Sequence, residues 1–487
     1  MKYKNTIIHL IQIFLIVLFI SSIVTKDFQN DTFFTIAIGE RILEYGVETE
    51  EKLVWHENLE FTNSRWLFDT IIAIINNYFG YLGIYVFVIL VSSAIGILYY
   101  FIINSIIKKK NIAFLITVFI MYISRNVFAA RAQIMSFLLI LIEFWAIEKL
   151  LETNKKRYFT VLLIIPLVLA NIHASVFPMY FVLFLPYIAE FILSKLKINN
   201  SNKLIIKNRN IKMLIILIPL AILLSFCTPK AVSPYSDMFK VMNGVSTEFI
   251  AELSPININQ ELALWGLLLV TISLMIFTNT KLRITDGLFI LGFALMSLST
   301  YRCVCFFYFI SSIGIIRFVN DFLNDNQINL DMKNTKLKNL IIGMIYVYIC
   351  LISINSLLTQ MKNDYIDTAT YPYNATEYIL NNLDKENIKI FNHFNFGAYL
   401  EVKGVKAFID SRSGIFTEEF NPGTTILNDW LSVKNGSTHY REIFNRYNIT
   451  HALLYNDEVI TVYISNDPEW KLIYQDDRFS LYEKNER

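Results

Sequence analysis

Asp31 stands in the stretch Asp27-Phe-Gln-Asn-Asp31-Thr-Phe-Phe34, directly after the first long apolar run of the chain. A carboxylate held at a membrane–water boundary can take a proton from a hydroxyl brought within hydrogen-bond reach. One that only faces water is a solvated loop acid with no such task. Arg125, Arg131 and Arg302 stand at the ends of separate apolar runs. Charge at such positions is costly to bury unless paired, and a guanidinium grips a phosphate through two parallel hydrogen bonds. Three arginines converging from separate helices would form a phosphate-binding cluster; the alternative is that each snorkels to the membrane surface. Arg131 is the most suggestive, because Gln133 follows it in a short hairpin. His173 ends a short apolar run as Asn171-Ile-His173, where it either lines a cavity or caps a helix. Glu248 and Glu252 lie four apart and share a helix face, closing over a site or simply facing water.

The elements that must position these groups are apolar. Hydrophobic residues make up 54% of the 487 residues and charged residues 17%, with a mean hydropathy of +0.45. That excludes an ordinary soluble protein. The net charge of +2 implies no polyanionic partner, so nucleic acid is not expected. Cys227, Cys303, Cys305 and Cys350 show no metal-ligand spacing, and Cys303-x-Cys305 within an apolar run reads as packing.

Apolar runs begin near residues 7, 84, 112, 135, 159, 177, 214, 262, 288, 306 and 340, giving about 11 membrane spans. Residues 66–79 read as a partly amphipathic, interfacial helix broken by Gly80 and Gly83. Lys and Arg cluster at the N-terminus and around 108–110, 149–157, 195–212, 281–283 and 333–338. All fall on one side if the spans are as drawn, which makes that side cytoplasmic. The other side receives a first loop, 25–66, in which Ile36, Ile38, Ile42 and Leu43 are expected to lie back on the membrane surface. It also receives Arg125–Gln133, His173, a second loop at 228–260, Arg302 and the tail. The expected organisation is a transmembrane domain over 1–360 and a small soluble domain over 361–487. In the tail, helices are expected over 374–383 and 440–447. Strands are expected over 388–391, 406–409, 451–455, 470–474 and 479–482, making an extracytoplasmic α/β domain. Asp410 and Arg412 follow one of these strands, where such sheets place ligands; a structural pair capping the strand is the other reading.

Asn30-Asp31…Gly39-Glu40-Arg-Ile-Leu, Trp55-His56 and Trp66-Leu-Phe-Asp69 resemble the first extracytoplasmic loop of bacterial multi-spanning GT-C-type glycosyltransferases. Arg125…Arg131-Ala-Gln133, Ala170-Asn171-Ile-His173 and Thr228-Pro-Lys230 resemble later segments of those proteins. So does the tail, through Phe391-Asn392…Phe396-Gly397-Ala-Tyr-Leu and Phe408-Ile-Asp410-Ser-Arg412. In plan the chain is also similar to oligosaccharyltransferase catalytic subunits, although their tryptophan-rich acceptor motif has no counterpart at Phe394–Gly397. The resemblance implies a polytopic α-helical, GT-C-like membrane enzyme that takes a sugar from a polyprenyl-phosphate carrier. The acceptor would be a glycan, lipid or protein outside the cytoplasm.

Such a reaction displaces the carrier phosphate at the anomeric carbon, with inversion. Asp31 is then the expected general base, and the arginines the expected grip on the leaving phosphate. Glu51, deeper in the first loop, would help bind acceptor or a divalent cation (Mg2+ or Mn2+), or is plainly solvated. His56 beside Trp55 would stack on and hydrogen-bond a sugar, or belongs to an interfacial aromatic belt. A lipid-linked-glycan transporter is expected to show internal repeats and charges deep in the spans; neither is visible here. A surface-glycan polymerase or ligase would carry a larger late loop than 228–260. An anchoring protein whose α/β tail does the work is the remaining reading.

Overall fold

The computed structural model describes residues 2–196, 203–231, 235–236, 239–240, 251–257, 259–328 and 334–485. The chain forms two compact units. One comprises Met1–Thr25, Tyr85–Ala231 and Ile250–Asn363; the other comprises Lys26–Ile84, Val232–Phe249 and Asp364–Arg487.

The first unit is helical. Among the described residues, five helices are long and apolar enough to cross a membrane, within Thr6–Ile23, Trp66–Ile107, Ala174–Lys195, Tyr301–Asp325 and Thr335–Gln360. Four shorter apolar helices accompany them: Lys110–Ile123, Lys212–Ser225, Leu262–Phe277 and Ile284–Ser299. The helix Ala132–Thr153 has 22 residues, but Glu143, Glu148, Lys149 and Glu152 dilute its apolar run. The expected count of about 11 spans therefore exceeds the helices that, among the described residues, meet the length and composition a bilayer demands.

Polar side chains pin the apolar helices together. Gln12 Nε2 donates to Asn111 Oδ1 at 3.1 Å and to Tyr346 Oη at 2.6 Å, and Tyr100 Oη donates to Gln12 Oε1 at 2.6 Å. In an apolar surrounding such bonds fix partners that hydrophobicity alone does not discriminate. Arg209 and Arg283, expected as loop charges, instead point inward. Glu148 receives Arg209 at 3.2 Å and Arg283 at 3.1 Å, and Arg317 meets Asp286 at 2.6 Å. The parallel pairing of β1 (Leu204–Ile205) with β2 (Leu282–Arg283) holds two of these arginine-bearing segments side by side.

In the second unit the expected first loop is largely structured. Asn30–Tyr45 is a helix whose residues Thr32–Gly39 are all buried. Ile36 and Ile38 are enclosed rather than spread on a membrane surface, and only Leu43 of the expected set is exposed. A side chain at Gly39 would run into the Asp69 carbonyl, so glycine permits this helix to close on the start of the helix at Trp66. That second helix departs from helical geometry at Gly80, where φ is +59°. Before the break, Phe68, Ile72 and Ala73 are buried while Ile74, Tyr78 and Phe79 are exposed. This leaves the apolar outer face expected of an interfacial helix.

The tail carries a four-stranded sheet in the order β3-β4-β6-β5, built from β3 (Ile390–Asn392), β4 (His451–Tyr455), β5 (Trp470–Gln475) and β6 (Phe479–Lys484). β3 and β4 are parallel and the other pairings antiparallel. The expected helices appear as Tyr373–Asn382 and Tyr440–Tyr447. The expected strand over 406–409 is absent. The Asn392 side chain takes a strand's place there: Phe408 N–H donates to its Oδ1 at 2.7 Å, and its Nδ2 donates to the Ile409 carbonyl at 2.9 Å. A buried backbone segment satisfied in this way needs no ladder. Val54 and Leu59 of the first loop join the same hydrophobic core as Phe391, Phe408 and Trp430, which is why loop and tail form one unit.

Asn392→Ala strips those partners from buried backbone groups, each loss costing about 1–3 kcal/mol. Thermal unfolding of the purified full chain in detergent is expected to shift downward by several degrees; an unchanged midpoint would refute the role given to this amide.

Candidate functional site

Three of the expected residues meet in the first unit. Arg131 immediately precedes the helix Ala132–Thr153, Gln133 lies in that helix's first turn, and Arg302 sits in the short turn Tyr301–Cys303. All three line one cavity, with Glu252, Glu261, Tyr301 and Tyr308. Arg131 holds both carboxylate oxygens of Glu252, at 2.5 and 3.2 Å. With its amide oriented to suit its neighbours, Gln133 accepts from Arg302 Nε and Nη2 at 2.5 and 2.9 Å. Tyr308 Oη donates to Glu261 Oε2 at 2.5 Å. The Tyr301 N–H donates to the Ser254 carbonyl at 3.0 Å, which fastens the Glu252 segment to the Arg302 turn. Two guanidiniums thus face one cavity, matched by two carboxylates.

Arg125 and His173 do not line this cavity. Arg125 lies over the Tyr122 ring at 4.4 Å and donates to the Tyr122 carbonyl at 3.1 Å. His173 is buried, with Nδ1 2.8 Å from Ser136 Oγ, tying the end of the helix Lys156–Ile172 to the preceding helix. Glu252, expected with Glu248 either to close over a site or to face water, lines this cavity; Glu248 lies outside the described residues. Glu261, Tyr301 and Tyr308 were not singled out from sequence. The one available signal was that Glu261 stands immediately before an apolar run and Tyr301 beside Arg302.

In the second unit, Asp31 is half-buried in the first turn of the helix Asn30–Tyr45. A negative charge is favoured there by the helix dipole. The neighbouring Asn30 Nδ2 donates to the Phe394 carbonyl at 3.2 Å. Tyr371 lies near: burial raises its hydroxyl pKa, and the charge of Asp31 raises it further.

Glu51, Asp410 and Arg412 meet in a separate, buried cluster. Arg412 donates to Glu51 Oε2 at 2.5 Å, to Glu401 Oε1 at 3.2 Å and to both oxygens of Asp410. The Leu53 N–H donates to the other Glu51 oxygen at 2.6 Å. Glu51 is therefore a buried partner, not a solvated acid. Burial pushes the Asp410 carboxyl up, but the Arg412 guanidinium holds it below the usual range. Glu401 goes the other way: burial, then the charge of Asp410, raise it well above the usual range. Glu51 and Arg412 also line a small pocket with Arg41, Glu48 and Asn63.

His56 packs with Trp55, Phe408, Phe416 and Tyr447, and its Nε2 lies 2.9 Å from the Phe408 carbonyl. Burial pushes its pKa down to about 4. Trp55 Nε1 donates to the Ile390 carbonyl at 3.0 Å. This pair anchors the first loop to the tail. Among the described residues no group of three or more His, Cys, Asp or Glu side chains is placed to hold a metal ion.

No family model and no curated protein matches the chain. Solved structures do. A crystal structure of the Archaeoglobus fulgidus oligosaccharyltransferase tethered to an acceptor peptide matches with a TM-score of 0.59 at 9% identity, over 93% of this chain and 70% of that one. The Archaeoglobus fulgidus oligosaccharyltransferase AglB, in complex with an inhibitory peptide and a dolichol-phosphate, matches with a TM-score of 0.54 at 9% identity over the same shares. The chain has an oligosaccharyltransferase-like fold. This agrees with the GT-C-type resemblance carried by its sequence, and the likeness extends through both units because nearly the whole chain is covered.

Glu401 supplies a pH test of the Arg412 cluster. Its folded-state pKa is raised, so the stability its proton brings is fully present below about pH 4.5 and is lost as pH rises toward the folded value. Glu401→Gln keeps the neutral shape and removes that loss. As pH rises above about 4.5 the variant is expected to gain on the wild type, by up to about 1.4 kcal/mol per pH unit for as long as the wild-type carboxyl keeps its proton. Parallel stability profiles from denaturant unfolding over that rise in pH would contradict a proton on Glu401.

Proposed function

We propose that the protein is a membrane glycosyltransferase that moves a sugar from a polyprenyl-phosphate carrier to an acceptor outside the cytoplasm. The observation that carries this reading is the first unit's cavity, where Arg131 and Arg302 come from separate segments to line one space. The fold supports it, since one neighbour binds a dolichol-phosphate and a peptide. The polar partners now on the arginines, Glu252 and Gln133, are what a phosphate would replace. In the reaction the acceptor oxygen attacks the anomeric carbon, the bond from that carbon to the phosphate oxygen breaks, and the configuration inverts. Arg131 and Arg302 take up the charge left on the phosphate through charge-assisted hydrogen bonds. Asp31 receives the acceptor's proton. Its place in a helix's first turn fixes its direction, as a general base requires.

Asp31→Asn is expected to lower transfer from a polyprenyl-phosphate sugar by about 10²–10⁴-fold with expression and membrane insertion intact. Arg131→Gln is expected to weaken carrier binding and slow transfer together. Wild-type rates in Asp31→Asn remove it as the base, and unaltered carrier binding in Arg131→Gln removes the phosphate site.

The proposed orientation puts the N-terminus in the cytoplasm and the tail outside. Asn435 is exposed. Asn435→Cys, with the four native cysteines replaced, is expected to react with a membrane-impermeant thiol reagent in intact cells. Reaction only after lysis reverses the orientation.

A further inference from the structure

The cavity that holds Arg131 and Arg302 is not lined as a phosphate site alone. Glu261 also lines it, and a phosphate repels a carboxylate. Glu261 stands immediately before the helix Leu262–Phe277 and is fixed by the 2.5 Å hydrogen bond from Tyr308 Oη. Tyr308 lies in Phe307–Ser311, where the helix widens into a π-helical turn. Such turns sacrifice regular hydrogen bonding and occur often at functional sites. Tyr301 lines the same space, adding a second aromatic hydroxyl.

An ionised carboxylate only accepts hydrogen bonds, at about four lone-pair positions. Its natural partners on an uncharged ligand are neighbouring hydroxyls, which donate. We propose that Glu261, with Tyr308 as its positioning residue, binds hydroxyls of the sugar on the carrier, so that the cavity takes a glycosyl monophosphate head group. This rests on the phosphate reading of Arg131 and Arg302 above. One cavity then carries both halves of the head group's recognition, with cations for the phosphate and an oriented acceptor for the sugar. Truncating Tyr308 frees the carboxylate to turn, and neutralising Glu261 converts an acceptor-only group into one that also presents donors to the sugar's hydroxyls.

The test measures binding by the full chain in detergent or lipid nanodiscs. The probes are a polyprenyl monophosphate and its glucosyl, mannosyl and N-acetylglucosaminyl conjugates. The wild type is expected to bind at least one conjugate more tightly than the bare lipid. Glu261→Gln is expected to weaken that conjugate by about tenfold, the loss typical of a charge-assisted hydrogen bond. Binding of the bare lipid should stay unchanged or tighten, because a negative charge has gone. Tyr308→Phe, which keeps the ring, should give the same split at smaller size, and it serves alone if Glu261→Gln does not fold. A wild type that binds no conjugate better than the bare lipid overturns the inference. So do variants that change both probes alike or neither. Arg131→Gln separates the two readings: weaker binding of every probe supports the phosphate site whatever Glu261 does, and unchanged binding removes the phosphate site itself.

Discussion

A guanidinium buried among carboxylates constrains everything packed around it. Removing one partner of such a buried group is strongly destabilising, typically by about 3–5 kcal/mol, because a charge is left uncompensated. Arg412 is in this position. Its partners come from the first loop, through Glu51, and from two parts of the tail, through Glu401 and Asp410. The pairing works only if segments 361 residues apart stay in register. Asp31 inherits that rigidity, because its helix packs in the same unit, with Phe33 against Tyr371 and Tyr399 at ring-centre distances of 4.9 and 5.2 Å. A catalytic role for Asp31 would thus be served by a folded platform, where a mobile loop would have to be ordered at each turnover.

The first unit holds two arginine clusters with opposite designs. Arg209, Arg283 and Arg317 converge on Glu148, Asp286 and Glu190, and each is at most 14% exposed. Their donors are absorbed by carboxylates of the fold, which suits a staple between helices and leaves little for a ligand. Arg131 and Arg302 share a cavity, and what they hold is loosely owned. Glu252 is a third exposed, and Gln133 is neutral. Sequence alone could not separate the two sets, since all five arginines stand at the ends of apolar runs. The difference lies in how many buried carboxylates each finds, and that is a matter of packing.

The elements set by local pattern were legible. Apolar runs marked the helices of the first unit, and the tail's strands at 451–455 and 479–482 followed from alternation and aromatic content. Elements set by partners far along the chain were not. The helix at Asn30–Tyr45 reads from sequence as part of a loop, helical only around Gly39–Leu43, because its apolar face matches the tail and nothing in its own polarity reveals a partner some 360 residues away. The run Lys406–Ile409 has strand-like composition, yet the side chain of Asn392 supplies its hydrogen bonds. Arg131, Gln133 and Arg302 were legible as charge and amide at helix ends. Glu261 was not, because an acid before an apolar run is also what a helix start favours, and only Tyr308 reaching it reveals a further use.

The charge balance of the cavity bears on how a phosphate would enter. With Glu252 and Glu261 facing Arg131 and Arg302, the cavity is formally neutral. A partly exposed ion pair contributes about 0–1 kcal/mol, so Glu252 can turn toward water at small cost and leave Arg131 able to form two charge-assisted bonds to phosphate oxygens. Gln133 exchanges more easily still, since no charge must be moved. The outgoing carboxylate and the incoming phosphate carry the same sign, so the exchange preserves the field felt by Glu261. Such an exchange would leave the hydrogen bond from Tyr308 to Glu261 in place, so the cavity would change its occupant without rearranging the groups around it.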